Sequence, residues 1–383
     1  MMAASSSQTA VSSGPGVGVR GESGGIYRPF AEYAWTRFAE KGLLSPTASI
    51  GGTVPEELRA NSSPAKGPKG GTPAEVRIRV DSRSGRDGDG KSAIRLARFA
   101  LLETVAATAD DHDAPAGSGV EGSESMIHGG GGAGIPGATH VLNLVVFPNA
   151  HLGFCEALPV LGLDLVTLPG NRHLVAMDLQ PVLPPPENAE MGRIDDGRNT
   201  NPNVIPERYR DIEERLKLLH KKHCVESEAL PWGGDVPPFA QRYFSPYAVW
   251  TRPGGPGSKA KNEGGGCGCG DFESAPSRDP LDIVQSEVWE AFQDYVDLYI
   301  ELMERVQQDI DRGEPTIATE SAADEGKEVG NVALAREAIK GQRDYLNFRK
   351  EKDPARPMLR GLYGEEWTER LIGDVLFPMI PMI

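Results

Sequence analysis

Two acidic side chains stand where an ionised carboxylate is costly. Asp164 sits in VLGLDLVTL, a run otherwise built of strong strand formers. Asp353 follows YLNFRKEK and precedes Pro354. A carboxyl beside apolar surface tends to keep its proton, because burial penalises the charged form. Two such groups in one cavity would deliver protons to a bound molecule, and their titrations would be spread apart by repulsion. Simpler readings stand beside this one. Strand alternation can turn Asp164 to solvent. An Asp-Pro pair is a common turn or helix cap.

A third polar residue, Asn143, interrupts the apolar run VLNLVVF. A buried amide must find partners, and either a ligand or a neighbouring backbone group can supply them. Cys267 and Cys269 lie in GGGCGCGD without CxxC spacing or a clear second pair, so no metal is expected. His220, His223 and Cys224 read as a solvated helix end. The glycine run from Gly129 to Gly134 has no following Lys-Ser/Thr and is no phosphate loop. No His-Glu-x-x-His motif is present.

These residues need a scaffold, and the chain of 383 residues is long enough to build one. Its 46 glycines and 31 prolines cluster in stretches that cannot pack, which leaves one domain rather than two. The expected layout is a disordered or transit-like segment over 1–26, then a single domain over 27–383. Gly-rich insertions near 104–139, 254–278 and 311–330 would interrupt that domain. The formal charge of −15 argues against nucleic acid as a partner. No apolar run is long enough for a membrane span. Four cysteines in so long a chain make no disulfide framework.

Helical spacing is expected over 29–43, 207–223, 283–310, 332–348 and 365–376. Alternating or apolar β-rich runs fall at 76–80, 140–147, 158–168, 173–182 and 244–252. Pro169-Gly170-Asn171 would close a hairpin. A helix, then mostly adjacent strands, then helices argues for an α+β fold with an antiparallel sheet.

The phrases DLVTLPG, DLQP, FSP, WTR, EKDPAR and GEEWTE, in this order, resemble the ferredoxin-dependent bilin reductases. The resemblance covers about residues 27–377 and is strongest to the phycoerythrobilin-forming branch. It implies a three-layer α/β/α sandwich with a central antiparallel sheet and a bilin pocket between that sheet and the C-terminal helices. It implies no bound metal or flavin, and reduced ferredoxin as external donor of single electrons. Asp164 and Asp353 would be the catalytic carboxyls, and Arg349 a residue able to enter the pocket. Asn143 stands where phycocyanobilin-forming members carry histidine. The members with that histidine also use an upstream glutamate; Ala100 falls there, with Glu103 nearby, and the role is not carried over.

The implied reaction is reduction of 15,16-dihydrobiliverdin to phycoerythrobilin. Biliverdin to 15,16-dihydrobiliverdin, another regiospecificity, and a non-catalytic bilin carrier are the alternatives. The substrate's two propionates call for guanidinium partners, and Arg252, Arg98 and Arg95 are the candidates. Ferredoxins are acidic like this chain, so a local basic patch is required; 77–98 and 217–222 are the stretches able to supply it. The upstream bilin reductase is a further expected partner, for transfer of the intermediate. A eukaryotic version would work in the plastid, a bacterial one in the cytoplasm.

Overall fold

A computed structural model of the chain describes residues 25–45, 54–65, 74–86, 92–106, 138–150, 158–170, 172–183, 204–227, 229–234, 243–253, 278–312 and 325–380. Within them, seven strands form one sheet: β1 (Ala60–Ala65), β2 (Ala74–Ser84), β3 (Ile94–Ala106), β4 (His140–Pro148), β5 (Val160–Leu168), β6 (Arg172–Gln180) and β7 (Val249–Thr251). They pair in sequence order, each antiparallel to its neighbours. The α+β expectation with an antiparallel sheet is met. β4, β5 and β6 are the three apolar runs, and the β5–β6 turn passes through Gly170 at φ 84, a conformation that favours glycine.

Two elements differ from the sequence reading. β1, with the short helix α2 (Glu56–Arg59) before it, lies in a stretch read as linker. ANSSPA has no apolar alternation, and Pro64 argues against a central strand; the segment is an edge strand, where proline is tolerated. The run from Phe244 to Arg252 yields only three strand residues, because the backbone N–H and Oγ of Ser245 bond to Asp178 instead of joining a ladder.

The helices are α1 (Arg28–Glu40), α3 (Arg210–His220), α4 (Pro280–Ile283), α5 (Trp289–Asp311), α6 (Glu325–Lys352), α7 (Arg356–Tyr363) and α8 (Glu365–Arg370). α6 begins inside the stretch read as a third linker. Residues 107–137, 254–277 and 313–324, and with them Cys267 and Cys269, lie outside the described residues.

Strand alternation divides the core in two. Leu142, Leu144, Leu163, Leu165, Val175 and Met177 pack with α1, α3 and α5 in one cluster. Ile78, Val80, Ala100, Val145, Phe147 and Val160 pack with α6, α7 and the turn after α8 in the other. Helices therefore cover both faces of the sheet.

α6 is fixed to its face by side chains one turn apart. Gln342 Nε2 donates to the Pro148 carbonyl at 2.9 Å, and the Tyr345 hydroxyl to Gln180 Oε1 at 2.6 Å. A Cβ on Gly341 would stand 2.3 Å from the Val182 carbonyl oxygen, so only glycine allows this close approach. Tyr345, Arg349 and Asp353 follow at four-residue intervals and share the helix side turned to the sheet.

Candidate active site

Register places the site. Val80, Ala100, Asn143, Asp164, Ala176 and Trp250 are direct cross-strand partners in one row across β2 to β7. Directly opposed residues share a face, so Asn143 and Asp164 both look toward α6. Asn143 Nδ2 donates to Asp164 Oδ1. Arg349 Nη1 donates to Asp164 Oδ2 at 3.2 Å, a pair separated by 185 residues in the chain. Behind Asn143, Arg98 Nη1 donates to Asn143 Oδ1 at 2.9 Å. Asp353, at the end of α6, accepts the Ala355 N–H on Oδ1 at 2.7 Å. The turn reading of Asp353 thus holds alongside its place in the site, while the cap of the next helix is Ala355.

The two carboxyls live in different surroundings. Burial raises the Asp353 carboxyl above its ordinary range; Arg349 opposes the rise and the charge of Asp164 adds to it. Asp164 has both oxygens engaged, and its side chain is 31% exposed. Burial works against the Arg349 cation, but Asp164, Tyr345 and Asp353 hold it above its usual value. In the free protein Arg349 is thus the counter-charge of both acids.

The floor around this row is open on one side only. Val141, Val166, Leu174, Ala176 and Trp250, which share the face of Asp164, are half-buried. The residues between them on β4 to β6, such as Leu142, Leu165 and Val175, are completely buried on the other face. An apolar floor carrying one polar pair, with charged groups along one edge, fits a flat conjugated ligand better than a polar one.

The propionate candidates separate. Arg252 is exposed at the end of β7, its guanidinium 5.9 Å from the Trp250 ring centre. Arg95 lies over Phe147 at 5.1 Å, its Nε and Nη2 buried without hydrogen-bond partners among the described residues. Arg98 is 0% exposed and is engaged with Asn143. Ala100 does lie opposite Asn143. Glu103 is on the other face, paired with Arg28 at 2.9 Å, and takes no part here.

The sequence reading missed one buried acid. Asp178 is 1% exposed, and burial pushes its carboxyl up to about 7 against the hydrogen bonds of Ser245. It shares the face of Asp164, one residue pair further along β6. An acid inside the apolar run VAMDLQ was the available signal, the same one that marked Asp164. A separate groove of about 540 Å³ between α1, α3 and α5 has its charges tied in pairs, among them Arg37–Asp297 and Arg215–Glu301. It lies on the other face and holds none of these groups. Among the described residues no group of three or more His, Cys, Asp or Glu side chains is arranged to hold a metal ion. No described helix is long and apolar enough to cross a membrane.

Residues 277–378 match the family model described as ferredoxin-dependent bilin reductase. A phycoerythrobilin:ferredoxin oxidoreductase of Gloeobacter violaceus is 32% identical over 243 residues, 63% of this chain and 70% of that protein. Proteins of the same name from a Synechococcus strain and from Nostoc punctiforme are 35% and 33% identical, over 63% and 62% of this chain and 67% and 66% of their own length. The chain thus spans about two thirds of the length of the curated relatives it matches. A crystal structure of tomato phytochromobilin synthase in complex with biliverdin aligns over 92% of this chain and 82% of that one, with 21% identity and a TM-score of 0.49. The chain belongs to the ferredoxin-dependent bilin reductase family.

Proposed function

We propose that the protein reduces an open-chain tetrapyrrole with electrons from ferredoxin, and that its step is 15,16-dihydrobiliverdin to phycoerythrobilin. The observation that carries this is the meeting of Asp164 and Asp353, through Arg349, at the edge of a half-open apolar floor. Reducing one double bond takes two electrons and two protons. Each electron comes from a reduced ferredoxin. Each proton leaves a carboxyl O–H and forms a new bond on the bilin, and solvent later restores the acid. Electron entry into a buried conjugated ligand creates negative charge in a poorly polarisable site, so proton transfer follows it closely.

The residues divide the work. Asp353, biased toward its protonated form, is the carboxyl that enters turnover carrying a proton. Asp164 becomes available when Arg349 turns from it toward the negatively charged, partly reduced bilin. Asn143 holds Asp164 through Oδ1 and, being an amide, contributes no proton. Arg252 and Arg95 serve the propionates. The ferredoxin surface falls to Arg77 and Arg79, exposed on β2, where Arg77 pairs with a single acid, Glu75, at 2.9 Å. The other candidate stretch is partly neutralised, since Lys221 pairs with Glu226 and Lys222 with Glu290 and Asp294.

The test is anaerobic incubation with reduced ferredoxin and either 15,16-dihydrobiliverdin or biliverdin, followed by product chromatography. Phycoerythrobilin from the first alone supports the proposed step; reduction of biliverdin assigns another; no reduction of either rejects the activity. Asp164→Asn is expected to accumulate a bilin radical and to slow product formation at least about tenfold. Wild-type turnover in that variant would remove Asp164 from the mechanism.

A further inference from the structure

Arg98 is a costly residue to keep in this sheet. Its side chain is wholly buried, its guanidinium 4.4 Å from the ring centre of Phe377 and 5.8 Å from that of Phe147. Its Nε and Nη2 have no hydrogen-bond partner among the described residues. Burial, with Arg349 nearby, lowers it to about 9, which still leaves a cation at neutral pH. Its hydrogen bond through Nη1 goes to Asn143.

That bond decides how the Asn143 amide faces. A guanidinium has donors only, so the atom meeting it must be the amide oxygen. The NH₂ group is thereby turned to Asp164 Oδ1. With Arg98 gone, the amide is free to turn over, and its oxygen would then confront the carboxylate. The other charged or titratable groups facing Asp164 come from α6 and its end: Tyr345, Arg349 and Asp353.

We propose that Arg98 is a positioning residue for proton delivery: acting through Asn143, it keeps Asp164 Oδ1 occupied and leaves Oδ2 as the oxygen that meets the substrate. Arg349 holds Oδ2 in the free protein and must withdraw first. Oδ2, once released by Arg349, takes up a proton from solvent and passes it to the bilin already reduced by one ferredoxin electron. The carboxylate left behind keeps its hydrogen bond from Asn143. This role rests on the reductase reading and replaces the assignment of Arg98 to a propionate.

A double-mutant cycle tests it, using the full chain with bilin and reduced ferredoxin under anaerobic conditions. The proteins are wild type, Arg98→Met, Asn143→Leu and the double variant. Bilin affinity is read by absorption titration and radical decay by stopped-flow spectroscopy. Arg98→Met is expected to slow radical decay about tenfold, less than the roughly 10²–10⁴-fold of a lost general acid because Asp164 itself remains, with affinity changed less than about threefold. Asn143→Leu should do the same, and the double variant should be no slower than the slower single, as expected for residues acting in series.

Losses that multiply would mean that Arg98 acts on Asp164 by another route, and would overturn the proposal. So would lost affinity with unchanged decay, the mark of a propionate contact. If Arg98→Met does not fold, Arg98→Lys in both backgrounds carries the same comparison, with the same non-additivity at smaller amplitude. Wild-type protein that turns over no bilin sinks the reductase reading, and the role of Arg98 falls with it; with turnover present, multiplied losses sink the role of Arg98 alone.

Discussion

Two buried groups on opposite faces of the sheet should give opposing pH dependences of stability. His173 is 4% exposed, with Nδ1 2.9 Å from the Thr167 hydroxyl. Burial, with Asp279 and His140 as smaller influences, lowers it from 6.5 to about 4. Between those values the unfolded chain binds a proton that the folded one does not, so stability rises with pH. Asp178 goes the other way. Burial raises it from 3.8 to about 7, so in that range the folded protein holds a proton that the unfolded chain has released, and stability falls as pH rises. From pH 4.5 to 6.5 each contribution changes by about 2 kcal/mol, somewhat less than the full slope of about 1.4 kcal/mol per pH unit because each group titrates in part near the ends of that window. In the wild type they largely cancel. Urea unfolding at four values from pH 4.5 to 7.5, with linear extrapolation, should unmask them one at a time. His173→Gln should lose stability relative to wild type as pH rises from 4.5 to 6.5. Asp178→Asn should gain it over the same interval. The slope is the readout, so a constant offset from altered packing does not matter. Variant curves parallel to wild type within about 0.5 kcal/mol would refute the assignment of these two protons.

Asp353→Asn keeps an acceptor for the Ala355 N–H, so it should change stability by less than about 1 kcal/mol while slowing product formation at least about tenfold. A stability loss that matched the rate loss would reduce Asp353 to a turn residue. Arg77→Glu with Arg79→Glu should lower the ferredoxin-dependent rate and flatten its salt dependence. Lys221→Glu with Lys222→Glu should do so much less, because those ammonium groups already face Glu226, Glu290 and Asp294. Equal effects from the two pairs would remove β2 as the docking strand. Arg349→Leu should leave Asp164 and Asp353 without their shared counter-charge and push Asp353 higher still, so product formation should retain its rate to higher pH but bilin affinity should fall. An unchanged pH profile would show that Arg349 does not control these acids.

The sheet was legible wherever apolar alternation or an apolar run persisted, as in VRIRV and VLNLVVF. It was illegible in ANSSPA, since an edge strand paired on one side needs little apolar surface. The candidate acids could be seen because an acid inside an apolar run is rare enough to ask for a reason. Asp178 had the same signature and was passed over; its partner Ser245 is 67 residues away and no local pattern joins them. Arg98 was visible as a base but not as a buried one. Nothing in RLARFALL says that both arginines turn inward, because that depends on the bulge between Ile94 and Leu96 and on Phe377 arriving from the far end of the chain.

The chemistry of the site depends on register more than on any one of its side chains. A slip of one residue in the β4–β5 or β5–β6 pairing would turn Asp164 to the other face, among Leu142, Leu144 and Met177. That face resists the slip. Its leucines, valines and methionine on β4, β5 and β6 are completely buried against α1 and α5, and moving β4, β5 or β6 would bring in Asn143, Asp164 or Asp178 in their place. Burial of a single leucine contributes about 1.5–3 kcal/mol, so even a short slip is prohibitive. The α6 face can then remain half-open above Val141, Val166 and Leu174 without endangering the pairing. One face of the sheet sets the register, and the other is left free to hold a ligand.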